Sequence, residues 1–220
     1  MFTGFSKETG EFLWELAFHN ERPWFLEHKE QFERTLNEPF RALAREVYDE
    51  LRRQAPEEEW RVHVSRIYRD ARRLYGRGPY KDHLWMTFTP ASATAEGPAF
   101  WFEIGASDYS YGLGFWGPTS AAMEAFRRAV AANPARFESL VSEVSGMRGF
   151  ALHGESFRRP RADLGEIINP WYNRKYFDYG LRRDHDELLY SEKLPKKMAR
   201  DFVRLLPLCR FLTEAVNAAT

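Results

Sequence analysis

The chain has 220 residues, of which 44% are hydrophobic and 16% are aromatic. This composition supplies enough apolar surface for a packed core, so it excludes a disordered, collagen-like or low-complexity protein. No run of about 18 uncharged apolar residues occurs, which predicts that no segment spans a membrane. Basic and acidic side chains each number 32, so the chain has no net charge that would attract nucleic acid or an anionic membrane.

The charges balance only over the whole chain. Residues 1–60 carry 8 basic and 14 acidic side chains, whereas residues 61–83 carry 7 basic and 2 acidic ones. A weaker basic segment spans residues 155–183, with 7 basic and 4 acidic side chains. The segment 61–83 is therefore where the sequence favours recognition of a carboxylate or a phosphate.

Helices are predicted over most of the first sixty residues. Ser6 suits an N-cap, and Pro23 and Pro39 each suit the first turn of a further helix. The third of these helices places a set of apolar residues on one face: Phe40, Leu43, Val47 and Leu51.

The hydrophobic pattern then alternates, which predicts strands. Four strands are predicted in succession, over residues 60–64, 84–88, 100–104 and 109–115. Because no helix separates them, they should pair as an antiparallel meander. Further helices are predicted over 121–132 and 134–144 and from Pro195 onward, while residues 146–183 are predicted to be irregular. The prediction is a single α+β domain over residues 1–220, with N-terminal helices, a central antiparallel sheet and C-terminal helices.

Residues 112–117 match the pattern G-x-G-x-x-G of dinucleotide-binding proteins. That fingerprint also needs a parallel β-α-β unit, and the strands before these residues are predicted to form a hairpin. Phe115 and Trp116 would also crowd the turn. The residues are therefore predicted to be an ordinary strand end that contains glycine.

The densest group of chemically active residues lies at positions 66–81, which read RIYRDARRLYGRGPYK. If the first strand continues through Tyr68, the Arg66 side chain shares the apolar face with Val64, and a charge there requires an anionic partner. We therefore predict an anion pocket in this segment, in which Asp70 either orients the arginines or acts as a general base. The predicted anion-binding residues are Arg66, Arg69, Arg72, Tyr80 and Lys81, with Asp70 as the candidate catalytic residue and Trp24 as a wall of the pocket.

The predicted ligand is a phosphorylated or carboxylated small molecule, and the sequence leaves open whether the protein is an enzyme and what its oligomeric state is. One alternative is a nucleic-acid-binding module whose basic face combines residues 61–83 and 155–183; this is disfavoured because the net charge is zero. The other alternative is a non-catalytic interaction domain in which the same cations are structural.

No cofactor and no metal are predicted, since the six histidines lack metal-ligand spacing and there is only one cysteine. Cys209 lies in an apolar run and is predicted to be a core residue. The first twenty residues lack the apolar segment of a signal peptide, so a cytoplasmic location is predicted.

The segment 66–81 resembles the signature of the DUF2461 family, although Ala71, Arg73, Gly76 and Gly78 differ from it. The positions that agree with the signature are Arg66, Ile67, Tyr68, Arg69, Asp70, Arg72, Pro79, Tyr80 and Lys81. Residues 20–25 and 159–161 resemble two further segments of that family, so the resemblance covers nearly the whole chain. It implies one domain of this family and supplies no reaction.

Overall fold

The structure is a computed structural model that describes residues 1–74, 76–95 and 97–218. Helices lie towards both ends of the chain, and the sheet lies between them. The helices are α1 Lys7–Phe18, α2 Arg22–Glu27, α3 Lys29–Phe32, α4 Glu38–Gln54, α5 Ser120–Ala132, α6 Pro134–Ser145, α7 Asn169–Tyr172 and α8 Leu194–Asn217. The strands are β1 Trp60–Val64, β2 Leu84–Pro90, β3 Ala99–Ile104, β4 Asp108–Phe115, β5 Phe150–His153 and β6 Phe177–Asp184.

In the described residues the strands form one antiparallel sheet in the order β1-β2-β3-β4-β6-β5. The predicted α+β class and the meander of the first four strands are confirmed. The prediction that residues 146–183 are irregular was wrong for β5 and β6, which extend the sheet beyond β4. Strand β4 is antiparallel to both of its neighbours, so the G-x-G-x-x-G residues do not belong to a parallel β-α-β unit.

The helices form where the apolar periodicity predicts them. Helix α1 begins directly after Ser6, and the predicted stripe of α4 is buried and packs against α8. Cys209 on α8 is fully buried, and this burial raises the pKa of its thiol to about 12. The thiol is therefore a protonated core group, as the sequence indicated.

The two faces of the sheet differ in burial. Along β2, Leu84, Met86 and Phe88 are buried against the helices, whereas the alternating residues Trp85 and Thr87 are partly exposed. An antiparallel sheet can leave one face to solvent in this way. We call the covered face the inner face and the other the outer face.

None of the helices formed by the described residues combines the length and the apolar character needed to cross a lipid bilayer.

Candidate anion site and outer groove

Residues 65–83, which we call the β1–β2 loop, connect the first two strands. Strand β1 ends at Val64, and the predicted continuation through Tyr68 does not form. Ile67 is buried, with 3% of its surface exposed, whereas Arg66 is exposed. The prediction that Arg66 lies on the apolar face was therefore wrong, because side chains alternate between faces only while the strand stays extended.

The two arms of the β1–β2 loop pair with each other. The backbone N–H of Arg69 donates to the carbonyl of Pro79 at 2.8 Å, and that of Lys81 donates to the carbonyl of Ile67 at 2.8 Å. Cations that are distant in the sequence consequently become neighbours at the base of the loop.

Tyr80 is the point at which this loop is attached to the N-terminal helices. The Asn20 amide donates to the Tyr80 carbonyl at 3.0 Å and accepts from the Tyr80 N–H at 2.9 Å. The ring of Phe25 stacks on that of Tyr80 with centroids 4.1 Å apart. A Cβ at Gly78 would overlap the Asn20 side chain, so this position has room for glycine alone. Asn20 was not among the predicted site residues, although its place in a segment that resembles a family motif was a usable signal.

Three of the predicted cations lie together beside Tyr80: Arg66, Arg69 and Lys81, which we call the cationic cluster. The Lys81 ammonium donates to the backbone carbonyl of Arg66 at 2.7 Å. Burial lowers the pKa of Lys81, and the positive charges of Arg69 and Arg66 lower it further. The lysine is therefore in a region of concentrated positive charge, which a nearby anion would relieve.

Arg69 is the member of the cluster with a carboxylate partner. Its Nε donates to the Tyr80 carbonyl at 2.6 Å, and its Nη2 donates to Asp82 Oδ1 at 3.1 Å. Burial alone would raise the pKa of Asp82, but a backbone hydrogen bond, His83 and Arg69 outweigh it and lower the pKa below its usual value. Asp82 is thus ionised at neutral pH and partly neutralises the cluster. Asp82 was not among the predicted site residues, although it directly follows Lys81 in the sequence.

Asp70 and Arg72 form a separate ion pair. The carboxylate oxygens of Asp70 accept from Arg72 Nε at 3.1 Å and from Arg72 Nη2 at 2.9 Å. The Arg72 side chain is 89% exposed, so the pair lies in solvent. Asp70 also accepts from the backbone N–H of Arg72, which caps the short helical turn 71–73.

Trp24 packs within the N-terminal helices. Its ring stacks on that of His28 with centroids 4.1 Å apart and contacts Phe12 and His19. The structure therefore brings four of the predicted site residues to one place, and it gives Asp70, Arg72 and Trp24 other contacts. The four are Arg66, Arg69, Tyr80 and Lys81.

The outer face of the sheet carries an open cavity of about 650 Å³, which we call the outer groove. Its lining includes polar and aromatic side chains from β1, β2, β3, β4 and β6. The volume lies within the roughly 300–1,000 Å³ that is typical of small-molecule sites. Trp85 lines the groove next to the cationic cluster, because the Lys81 ammonium lies 5.8 Å from the centre of its ring. The groove and the cluster are thus adjoining features.

Glycines on β4 and β6 form part of the outer face beneath the tryptophan rings. A Cβ at Gly180 would lie 3.1 Å from the Trp101 ring, and a Cβ at Gly114 would overlap the ring of Trp116. Trp101 is on β3 and Gly180 is on β6, so the Trp101 ring extends across the intervening strand β4. The two tryptophan rings meet edge to face, with centroids 5.4 Å apart. This arrangement was not predicted from the sequence, because it depends on the register of three strands.

Asp178 and Trp116 both line the outer groove. Its burial raises its pKa, although His153, a hydrogen bond from the Trp116 side chain and Arg182 act in the opposite direction. Asp178 was not among the predicted site residues. A partly buried carboxyl beside a cavity is a polar group that can contact a bound molecule.

The second basic segment, 155–183, uses several of its cations for its own structure. Arg174 donates to the backbone carbonyl of Pro170 at 3.0 Å, and Lys175 forms an ion pair with Glu155. The Arg161 guanidinium lies over the Phe157 ring at 4.5 Å. Trp171 and its aromatic neighbours fix this segment onto the core.

A comparison with models of protein families matches residues 8–211 to the family described as "Conserved hypothetical protein (DUF2461)". The chain belongs to the DUF2461 family. The predicted resemblance is therefore confirmed, and the family match covers Asn20, the β1–β2 loop and the outer groove. A search of curated proteins finds no match to the chain. Within the described residues, no group of three or more His, Cys, Asp or Glu side chains is arranged to hold a metal ion.

Proposed function

We propose that the protein binds a small molecule through a carboxylate or phosphate group at the cationic cluster. The observation that supports the proposal is the convergence of three positive side chains, which lowers the pKa of Lys81 beyond the effect of its burial. Asp82 pairs with Arg69, but Arg66 forms no ion pair with any residue that the structure describes, and its side chain is exposed. A ligand anion can therefore reach Arg66 from solvent.

Preorganisation of Arg69 also favours binding. Its Nε is fixed on the Tyr80 carbonyl, and Asn20 and Phe25 hold Tyr80 in turn. A guanidinium that is already oriented loses little conformational freedom when an anion binds, so more of the interaction energy contributes to affinity.

The observed contacts give less support to a nucleic-acid-binding face and to a catalytic role of Asp70. Arg174 and Lys175, which would extend a nucleic-acid-binding face, are bound to acceptors of their own chain. Asp70 is paired with the exposed Arg72. A role of Asp70 as a general base stays a prediction.

A matched pair of variants within the β1–β2 loop tests the proposal. Arg66→Gln and Arg72→Gln each remove one exposed arginine, one from the cationic cluster and one from the Asp70 ion pair. The measurement is thermal unfolding at low ionic strength with increasing inorganic phosphate or citrate. An anion at 100 times its Kd adds about 2.7 kcal/mol of stability, which raises the Tm by about 5–10 °C for a chain of this size.

We expect the anion-dependent rise in Tm to be lost in Arg66→Gln and retained in Arg72→Gln. If the wild-type protein shows no rise with either anion, or if both variants lose it equally, the cationic cluster is not the anion site.

A further inference from the structure

Strand β1 forms one edge of the sheet. In the described part of the chain, β2 is the only strand that pairs with it. An edge strand presents backbone N–H and C=O groups that can pair with another chain, and many proteins protect such an edge with a proline, a bulge or a covering element. Strand β1 contains no proline, and its register with β2 continues from Trp60 to Val64 without a bulge. The edge therefore has the regular geometry that a further strand requires.

The hydrogen bonds to β2 show which residues of β1 face this edge. Directly after β1, the backbone N–H of Ser65 donates to the carbonyl of Trp85 at 2.9 Å. Directly before it, the carbonyl of Glu59 accepts from the N–H of Ala91 at 2.7 Å. Hydrogen-bonded and non-hydrogen-bonded pairs alternate along an antiparallel ladder. The odd-numbered residues of β1 therefore pair with β2, and the even-numbered residues direct their backbone groups away from it.

The even-numbered residues are Trp60, Val62 and Val64. The partner of Trp60 is Pro90, which has no N–H and so suits a pair without hydrogen bonds. Val62 and Val64 lie at the centre and the end of the strand, and Val62 is 38% exposed. Their backbone N–H and C=O groups are thus available to a strand that approaches from outside the sheet.

An open cleft of about 390 Å³ adjoins this edge and separates it from α4. Its apolar lining includes Val62 and Val64 of β1 and Ala44 and Tyr48 of α4. Residues directly opposite each other in an antiparallel pair place their side chains on the same face. A strand added beside β1 would therefore direct every second side chain over this cleft.

The cleft is also basic. Arg41 and Arg45 lie one turn apart on α4 and line it, and both are exposed. Arg41 donates to the Asn37 amide oxygen at 3.2 Å, and neither arginine forms an ion pair with a residue that the structure describes. If β1 paired with β1 of a second copy, the arginines of both copies would face each other and repel. The charge favours an acidic strand over a second copy of this chain.

We propose that β1 and the adjoining cleft bind an extended acidic peptide segment of a partner protein by strand addition. The peptide backbone pairs with the N–H and C=O groups of Val62, and an apolar side chain of the peptide packs on Val62 and Tyr48. A carboxylate of the peptide pairs with Arg41 or Arg45. In strand addition, backbone hydrogen bonds supply affinity and alternate side chains supply specificity. This interaction is separate from anion binding at the cationic cluster and does not depend on it.

The test uses blocked hexapeptides with the full chain at low ionic strength. The acidic probe is Val-Val-Glu-Glu-Val-Val, so that each face of the extended peptide carries valine, glutamate and valine. In the two matched probes, glutamine or lysine replaces glutamate. From the strength of surface ion pairs, we expect the acidic probe to bind about 3- to 30-fold more tightly than the basic one, with the neutral probe between them. This comparison requires only the wild-type protein.

Hydrogen exchange shows whether a peptide binds as a strand. The acidic probe should slow exchange of the Val62 and Val64 amides, whereas the amides of Arg61 and His63, which already pair with β2, should change little. Val62→Pro removes an N–H that faces away from β2, so it should weaken binding about 3- to 10-fold without removing a hydrogen bond of the sheet. Val62→Thr keeps the N–H and a similar shape and is the matched control.

The double variant Arg41→Glu with Arg45→Glu tests the role of charge. It should prefer the basic probe over the acidic one, while Arg128→Glu, at an exposed position of α5, should keep the wild-type order. The proposal is overturned if no probe binds, if the acidic and basic probes bind equally, if the double variant keeps the wild-type order, or if binding leaves exchange at Val62 and Val64 unchanged. Slow exchange at these amides without peptide, together with a dimeric mass, would assign the edge to a second copy and also overturn it.

Discussion

Asp82 provides the sharpest test of the cationic cluster, because its carboxylate pairs with Arg69 and would compete with a bound anion for that guanidinium. It accepts a hydrogen bond from Arg69 and is ionised at neutral pH, since its pKa lies below the usual value. If the cluster binds anions, Asp82 repels them. Asp82→Asn removes the charge but keeps an oxygen that can accept from Arg69, so the variant should bind anions more tightly.

The size of this gain follows from the exposure of the pair. Two like unit charges about 5 Å apart repel by roughly 0.8 kcal/mol in water and by roughly 3 kcal/mol at an effective dielectric constant of about 20. The Asp82 side chain is 56% exposed, which favours a value near the aqueous limit. A gain of about 1 kcal/mol corresponds to about a fivefold lower Kd for inorganic phosphate.

The measurement is isothermal titration with phosphate at low ionic strength, where surface charges are least screened. Asp70→Asn is the matched control, because it removes a carboxylate of the same loop that is paired with Arg72 instead. We expect no change in Kd for this control. Unchanged or weaker phosphate binding by Asp82→Asn, with its fold intact, would refute the reasoning.

Three further predictions concern the framework of the site. Tyr111→Phe removes the hydroxyl that donates to buried Asp201 at 2.8 Å, and urea unfolding should show a loss of about 1–3 kcal/mol. Phe25→Ala removes the ring stacked on Tyr80, and it should cost about 3–5 kcal/mol of stability and also weaken the phosphate-dependent rise in Tm. Burial raises the pKa of Asp178, so its ionisation destabilises the fold as pH rises above the unfolded pKa. The free energy of unfolding of Asp178→Asn minus that of wild type should therefore be more favourable to the variant at pH 7 than at pH 4. An equal difference at the two pH values would contradict this.

The elements that depend on local pattern were predictable. The stripe of α4, from Phe40 to Leu51, follows the helical period and is buried as that period requires. Strand β6 was missed even though Phe177, Tyr179 and Leu181 alternate with residues of the outer face. Glycine and charged residues at those alternate positions have low strand propensity and therefore obscured the pattern.

The site was only partly predictable, because its residues come together through long-range contacts. The cluster of basic residues between 66 and 81 was evident, but the burial of Ile67 in place of Arg66 depends on where β1 ends. The attachment of Tyr80 by Asn20 joins segments separated by 60 positions. No local periodicity encodes such a contact.

The outer groove differs from an ordinary solvated sheet face in the residues that it uses. An antiparallel sheet can leave one face to water with threonine on it, and this β-branched residue favours strands. Glycine within a strand weakens it, by roughly 0.5–1 kcal/mol relative to alanine. Here a Cβ at Gly114 would overlap the Trp116 ring, and a Cβ at Gly180 would lie 2.9 Å from the Tyr111 carbonyl and 3.1 Å from the Trp101 ring. The two strands therefore carry glycine where indole rings and a neighbouring backbone approach closely, and solvation alone does not require that arrangement.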